Sequence, residues 1–290
     1  MMARLVIGLM YVFAWLPLPL LRALGWLLGQ VLFVLVAPRR KVVLRNLELC
    51  FPEVAPARRK RWARQSFVYF CQTWMDRGWV WLRSPEVVRR RIRLDGALEH
   101  LGDTEDCGTI LFTPHFYGLD AAGTRLALET TRTVTSIYTT QPNAGIDAWM
   151  KASRARFGDV HMLNRRDGIR PIVAALRKKG ILFLLPDMNF GPEESIFVPF
   201  FGVAAATVPS LSRFAQLGRA RVVPVVAQVT PTGYHVRMLP AWENFPSGDA
   251  TADTARMNEQ LEGWIREMPA QYFWVHKRFK TRPPGEPPVY

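Results

Sequence analysis

Thr113-Pro114-His115-Phe116-Tyr117-Gly118-Leu119-Asp120 is the segment whose residue types and spacing could do chemistry. Thr109 to Thr113 reads as a short apolar strand, a proline then turns the chain, and Leu119 to Leu128 reads as a helix. Ligands of α/β sheets collect at the carboxyl ends of strands, which is where His115 would sit. On one continuous helix His115 and Asp120 would lie about 140° apart. With His115 in the turn before the helix, the carboxylate can fold back toward the imidazole. Such a pair suits acyl transfer to a hydroxyl, a poor nucleophile at neutral pH. A neutral imidazole takes the proton as the attack occurs, and a carboxylate on the other ring nitrogen fixes the tautomer and stabilises the imidazolium. The sequence contains no GxSxG elbow, so the protein need not supply the nucleophile. The competing reading of HxxxxD alone is a structural histidine near a helix cap.

The elements around this segment alternate. Arg132 to Tyr138, Val160 to Leu163, Ile181 to Leu185, Arg221 to Val229 and Tyr234 to Leu239 read as strands. Ala144 to Phe157, Gly168 to Lys179, Pro209 to Leu217 and Ala252 to Glu267 read as helices. This pattern predicts an α/β fold with a mixed, mostly parallel central sheet flanked by helices. Pro56 to Leu82 reads as one long amphipathic helix whose aromatic residues fall among Arg58, Arg59, Lys60, Arg61 and Arg64.

From Leu5 to Ala37 only Arg22 and Gln30 are strongly polar, and Pro17 and Pro19 divide the run. A spanning helix needs about 20 apolar residues, and Leu18 to Ala37 is about that long. Residues 1–38 are therefore expected to be a membrane anchor and residues 39–290 a catalytic domain. The competing reading is a buried helix pair of a soluble domain. Arg39, Arg40, Lys41 and Arg45 follow the run and place the domain on the cytoplasmic side by the positive-inside rule. The 290 residues carry 38 Lys and Arg against 24 Asp and Glu, a net charge of +14 that implies anionic partners. Cys50, Cys71 and Cys107 are widely spaced and lack a CxxC pair, which excludes a disulfide framework or zinc site and fits reduced thiols. A non-catalytic, membrane-tethered basic protein binding nucleic acid or anionic lipid would explain the charge but not the buried βαβ pattern with HxxxxD, and no helix-turn-helix, paired zinc ligands or RNA-binding aromatic motif accompanies it.

The chain resembles the late (secondary) acyltransferases of lipid A biosynthesis, within the wider HxxxxD/E glycerolipid-acyltransferase type. Besides the segment above, the resemblance rests on blocks in order along the chain: Asn46 to Glu53, Arg165 to Pro171, Pro186 to Gly191, Ser195 to Gly202 and Gln271 to Pro283. It implies His115 as base and Asp120 as its orienting partner. It also implies Arg166 as the cation near the thioester carbonyl, with Arg165 a close rival, and Asp187 as the family's strand-end aspartate. Asp187 could equally be a turn former before Gly191. Met188 departs from the Gln or His of many relatives, which affects substrate contacts rather than the reaction. The resemblance further implies an acyl carrier protein as donor, a lipid A precursor as acceptor, a seat among inner-membrane phospholipids, and no metal or cofactor. Arg165, Asp187, Asn189, Lys277 and Lys280 are expected substrate contacts. The basic residues Arg165, Arg166, Lys277 and Lys280 would form the rim that meets the acidic carrier. The same chemistry on another glycolipid or aminolipid, and a thioester hydrolase that admits water, remain competing readings.

Overall fold

The computed structural model describes residues 2–103 and 105–290. Its helices are α1 (Met2–Trp15), α2 (Leu18–Leu35), α3 (Ala37–Cys50), α4 (Pro56–Leu82), α5 (Pro85–Arg91), α6 (Leu119–Ala127), α7 (Ala144–Arg154), α8 (Arg170–Arg177), α9 (Ser210–Gly218) and α10 (Ala250–Glu267). Its strands are β1 (Ile92–Gly96), β2 (Thr109–Phe112), β3 (Val134–Tyr138), β4 (Val160–Asn164), β5 (Ile181–Leu184), β6 (Ile196–Phe200), β7 (Val203–Thr207), β8 (Arg221–Thr230) and β9 (Gly233–Met238). Proline stands in the first turn of α2, α3, α4, α5 and α8. Its missing N–H is not needed there and its fixed φ suits the helix.

Seven strands form one sheet in the order β1-β9-β8-β2-β5-β3-β4. All neighbours are parallel except the β8–β9 pair. The expected mixed, mostly parallel sheet flanked by helices is what the chain forms. Strands β2 and β5 are buried along their whole length, as a central pair covered on both faces must be. One apolar cluster joins Ile110, Phe112, Leu182 and Leu184 to α8, α9 and α10, and the other joins Leu111, Ile181 and Phe183 to α6. The long helix α4 contributes to both, with Phe67 in the first and Trp79 in the second. Outside the sheet, β6 and β7 form an antiparallel hairpin. Its two turn residues, Phe201 and Gly202, both have positive φ (51° and 73°), as a tight two-residue hairpin turn requires.

The N-terminal helices are packed into this body. Helix α2 is the one helix among the described residues long and apolar enough to cross a membrane. It buries a single stripe of Leu18, Leu21, Gly25, Gly29 and Phe33. Gly25 lies against Gln72 and Gly29 against Val68, so α2 runs antiparallel along α4. A Cβ at Gly29 would come within 2.5 Å of the Val68 Cα, so only glycine allows this approach. Arg22 donates to the fully buried carboxylate of Asp76. The outer faces of α1 and α2, with Leu5, Val12, Trp15, Leu27, Val34 and Leu35, are exposed and apolar. Packing thus continues across residue 38, where the sequence suggested a boundary between anchor and domain.

Candidate active site

Parallel pairing brings the carboxyl ends of β2, β5, β3 and β4 to one edge. Phe112 of β2 pairs with Leu184 of β5. His115 and Asp187 each lie three residues beyond that pair, so the two turns meet side by side. Asp187 is fully buried. Its Oδ1 is 2.7 Å from His115 Nδ1, and its Oδ2 accepts from the His115 backbone N–H and the Tyr272 hydroxyl, both at 3.0 Å. Burial alone would raise the Asp187 pKa, but the His115 charge and these hydrogen bonds outweigh it and hold the carboxyl below its ordinary value. An ionised Asp187 can only accept, so Nδ1 of His115 carries a proton, and in the neutral imidazole the lone pair is then on Nε2.

The C-terminal segment completes the turn. Tyr117 N–H donates to Gln271 O, and Phe273 N–H donates to His115 O, each at 3.0 Å. That short antiparallel contact positions Tyr272 over Asp187. Tyr272 is the residue of this network that the sequence analysis did not single out; it lies within a quoted block without a role.

His115 opens into a cavity of about 610 Å³, within the usual size of a small-molecule site. Its walls are mainly apolar. Leu111, Phe183 and Val134 line it from the α6 face of the sheet, and Leu184, Ile137 and Phe214 from the α8–α9 face. The cavity therefore reaches both faces where the strands end.

The other expected site residues fall in different places. Asp120 lines the cavity but does not bond His115. Its Oδ2 accepts from Arg77 Nε at 2.8 Å, and its Oδ1 accepts from Arg154 Nε and Nη2 at 3.0 and 2.8 Å. The expected His115–Asp120 pair is thus replaced by His115–Asp187. Asp120 lies in the first turn of α6 and is drawn toward α4 and α7, whereas Asp187 comes from the turn after the adjacent strand β5. Arg165 and Arg166 occupy a tight turn after β4, capped by the Asn164 side chain. Arg165 lines the cavity, stacks over Phe190 with 3.9 Å to the ring centre, and pairs with Glu194 at 3.0 Å. Arg166 is exposed and lies outside the lining, so the rival rather than the first choice faces the cavity. Asn189 pins the loop after β5 to the C-terminal segment. Its backbone N–H donates to His276 Nε2 at 3.0 Å, and its side-chain oxygen accepts from Thr281 at 3.0 Å. Burial and then the Arg278 charge bring the His276 pKa down to about 4, which keeps that ring nitrogen an acceptor. Lys277 and Lys280 are exposed and outside the cavity lining.

The Asp120 clamp has a measurable consequence. Burial would raise its pKa, but the Arg154 and Arg77 charges and their hydrogen bonds bring it from 3.8 to about 2. A depressed carboxyl contributes stability that is present above its unfolded pKa and lost as pH falls through the folded one. Asp120→Asn is expected to cost about 2 kcal/mol at neutral pH. It should also flatten the loss of stability between pH 3.8 and about 2. Melting curves across that range check this; parallel acid profiles for both proteins would contradict it.

An apolar cavity at the carboxyl edge of a mostly parallel sheet, with an oriented imidazole at its mouth, is an arrangement suited to acyl transfer. Residues 1–281 match the family described as bacterial lipid A biosynthesis acyltransferase, and the chain belongs to that family. It is 33% identical to the lipid A biosynthesis lauroyltransferase of Escherichia coli K12, over 98% of this chain and 93% of that protein. It is 30% identical to the lipid A biosynthesis myristoyltransferase of the same organism, over 92% and 82% of the two chains. The E. coli palmitoleoyltransferase of the same pathway is 29% identical over 98% and 92%. Among solved structures, the 1-acyl-sn-glycerophosphate acyltransferase of Thermotoga maritima aligns with a TM-score of 0.39 at 12% identity, covering 86% of this chain and 97% of that one. The protein is an acyltransferase of lipid A biosynthesis. That role and its apolar N-terminal helix associate it with a bacterial membrane.

Proposed function

We propose that the protein moves a fatty acyl chain from the thioester of acyl carrier protein to a hydroxyl of a lipid A precursor of the Kdo2-lipid IVA type. His115 is the base and Asp187 its partner. The observation that carries this reading is the His115 Nδ1–Asp187 Oδ1 hydrogen bond of 2.7 Å at the mouth of the apolar cavity. Nε2 removes the proton from the acceptor hydroxyl as its oxygen attacks the thioester carbonyl. Asp187, held by Tyr272, stabilises the imidazolium that forms. The tetrahedral intermediate collapses by expelling the thiolate, which takes the proton back from His115 as the thiol leaves. Arg165 faces the cavity and is the cation suited to the developing oxyanion. The acyl chain lies along the apolar walls.

The exposed apolar faces of α1 and α2 seat the protein among inner-membrane phospholipids while their inner faces stay on the domain. Arg39, Arg40 and Lys41 at the start of α3, just after α2, favour the cytoplasmic side and meet anionic head groups. The net charge of +14 suits an acidic carrier. Electrostatic steering acts mainly on association and weakens as salt screens it. Transfer from acyl carrier protein to a lipid A precursor is expected to slow with rising salt under kcat/KM conditions. Acyl-coenzyme A serving better at every ionic strength would overturn the choice of donor.

A further inference from the structure

The arginines around Asp120 are arranged for more than packing. Asp120 fixes Arg77 from α4 and Arg154 from α7; the three charges together sum to +1, and of the two arginines Arg154 lines the cavity while Arg77 lies outside its lining. Both guanidinium groups also lie over the ring of buried Trp81, at 5.4 and 5.9 Å. Among the described residues, no protein acceptor meets the two terminal nitrogens of Arg77 or Nη1 of Arg154. None of these three nitrogens is a buried orphan, and both side chains are 28% exposed. Two oriented guanidiniums with free donors form a fork for an anion with several oxygens.

The location selects the anion's source. Helix α1 crosses α4 at Gly78, next to Arg77, where a Cβ would meet the Met10 carbonyl at 2.6 Å. The other arginine-bearing helix, α7, meets α1 where Gly145 approaches Ala3. The end of α1 presents Trp15, 73% exposed, with the Arg83 guanidinium stacked 4.0 Å over its ring. An exposed tryptophan beside arginines at the end of an apolar helix marks head-group depth. Arg77 and Arg154 thus stand on two helices packed against apolar α1, the element a lipid surface would cover, while a carrier protein approaches from water.

We infer that Arg77 and Arg154, held by Asp120, bind a phosphate group of the lipid acceptor. The inference rests on the proposed transfer to a lipid A precursor. Asp120 is then a positioning residue for substrate recognition rather than the partner of the catalytic base. A phosphate oxygen takes the free donors of Arg77 and Arg154 and sets the acceptor hydroxyl at His115.

The test compares a phosphorylated lipid A precursor with the same precursor after phosphatase treatment, both in detergent micelles with labelled acyl carrier protein as donor. The wild-type protein is expected to show a lower KM for the phosphorylated form. Arg154→Gln and Arg77→Gln should each raise that KM about tenfold, since hydrogen bonds to charged groups contribute at this level. KM for the treated form and for the donor should stay near wild type. Arg154→Lys should recover part of the preference, and Asp120→Asn should weaken it without moving the pH profile of kcat. Equal losses on both acceptors, a rise confined to the donor KM, or a shifted kcat profile in Asp120→Asn would each overturn the inference. If Asp120→Asn does not fold, the two arginine variants decide. Wild-type protein inactive on both acceptors would instead overturn the acceptor assignment on which the inference rests.

Discussion

His115→Ala is expected to lose about 10²–10⁴ in single-turnover rate, the usual contribution of a general base, while the protein still folds. His115 is only partly buried, and among the described residues its ring makes one protein hydrogen bond, to Asp187. Losing it costs little packing. Asp187→Ala should cost nearly as much activity, because the imidazole loses the group that sets its tautomer and balances its charge. The two losses should not add, since the residues act as one unit. Asp187 is fully buried and also anchors the His115 backbone and Tyr272, so melting curves must accompany its kinetics. Single-turnover transfer from labelled acyl carrier protein to a lipid A precursor checks both variants. A folded His115→Ala protein with near-normal turnover would sink the mechanism. Asp120→Ala offers a direct contrast. If Asp120 rather than Asp187 served the base, it would be the carboxylate whose loss could not add to that of His115.

The sheet was legible because the central strands are short apolar runs bounded by Gly or Pro, as in Ile181 to Leu184 between Gly180 and Pro186. The two chemically important strand ends were both visible, since His115 and Asp187 each follow such a run and a proline. Their partnership was not visible. Spacing along the chain favoured Asp120, five residues away, whereas the carboxylate that hydrogen-bonds the imidazole lies 72 residues on. Only strand order makes β2 and β5 neighbours, and a local pattern does not encode strand order. Arg165 and Arg166 were confused for a related reason. In a three-residue turn each step rotates the side chain by about 120°, so adjacent residues face different surroundings and composition cannot say which faces the cavity. Strand β1, Ile92 to Gly96, carries only two large apolar residues and follows a run of arginines, so its alternation is too short to stand out from the charged segment before it. The β6–β7 hairpin was hidden because Phe201 occupies a turn position that usually signals itself by Asn or Gly.

The N-terminal helices carry the second large expected effect, and it falls on stability. A lone arginine in an apolar run, as Arg22 is, commonly snorkels toward water. Arg22 instead points inward to Asp76, which is fully buried and also accepts from Trp79 Nε1 at 2.9 Å and from the Tyr234 hydroxyl. Arg22 further donates to the Gly233 carbonyl at 3.3 Å, tying α2 to the start of β9. Removing the cation leaves a buried carboxylate with neutral donors only. Breaking a buried pair in this way costs about 3–5 kcal/mol, a large part of a typical domain's total stability of roughly 5–15 kcal/mol. Arg22→Met is therefore expected to lower the melting temperature steeply in detergent, and truncation of residues 1–38 should yield protein that does not fold. The double variant Arg22→Met with Asp76→Leu should regain much of the loss, because no charge is then left without a partner. Thermal melts of the single and double variants complete the cycle. A truncated protein that is soluble, cooperative in melting and active would mean that α1 and α2 are a detachable anchor after all, and that the Arg22–Asp76 pair does not couple them to the catalytic domain.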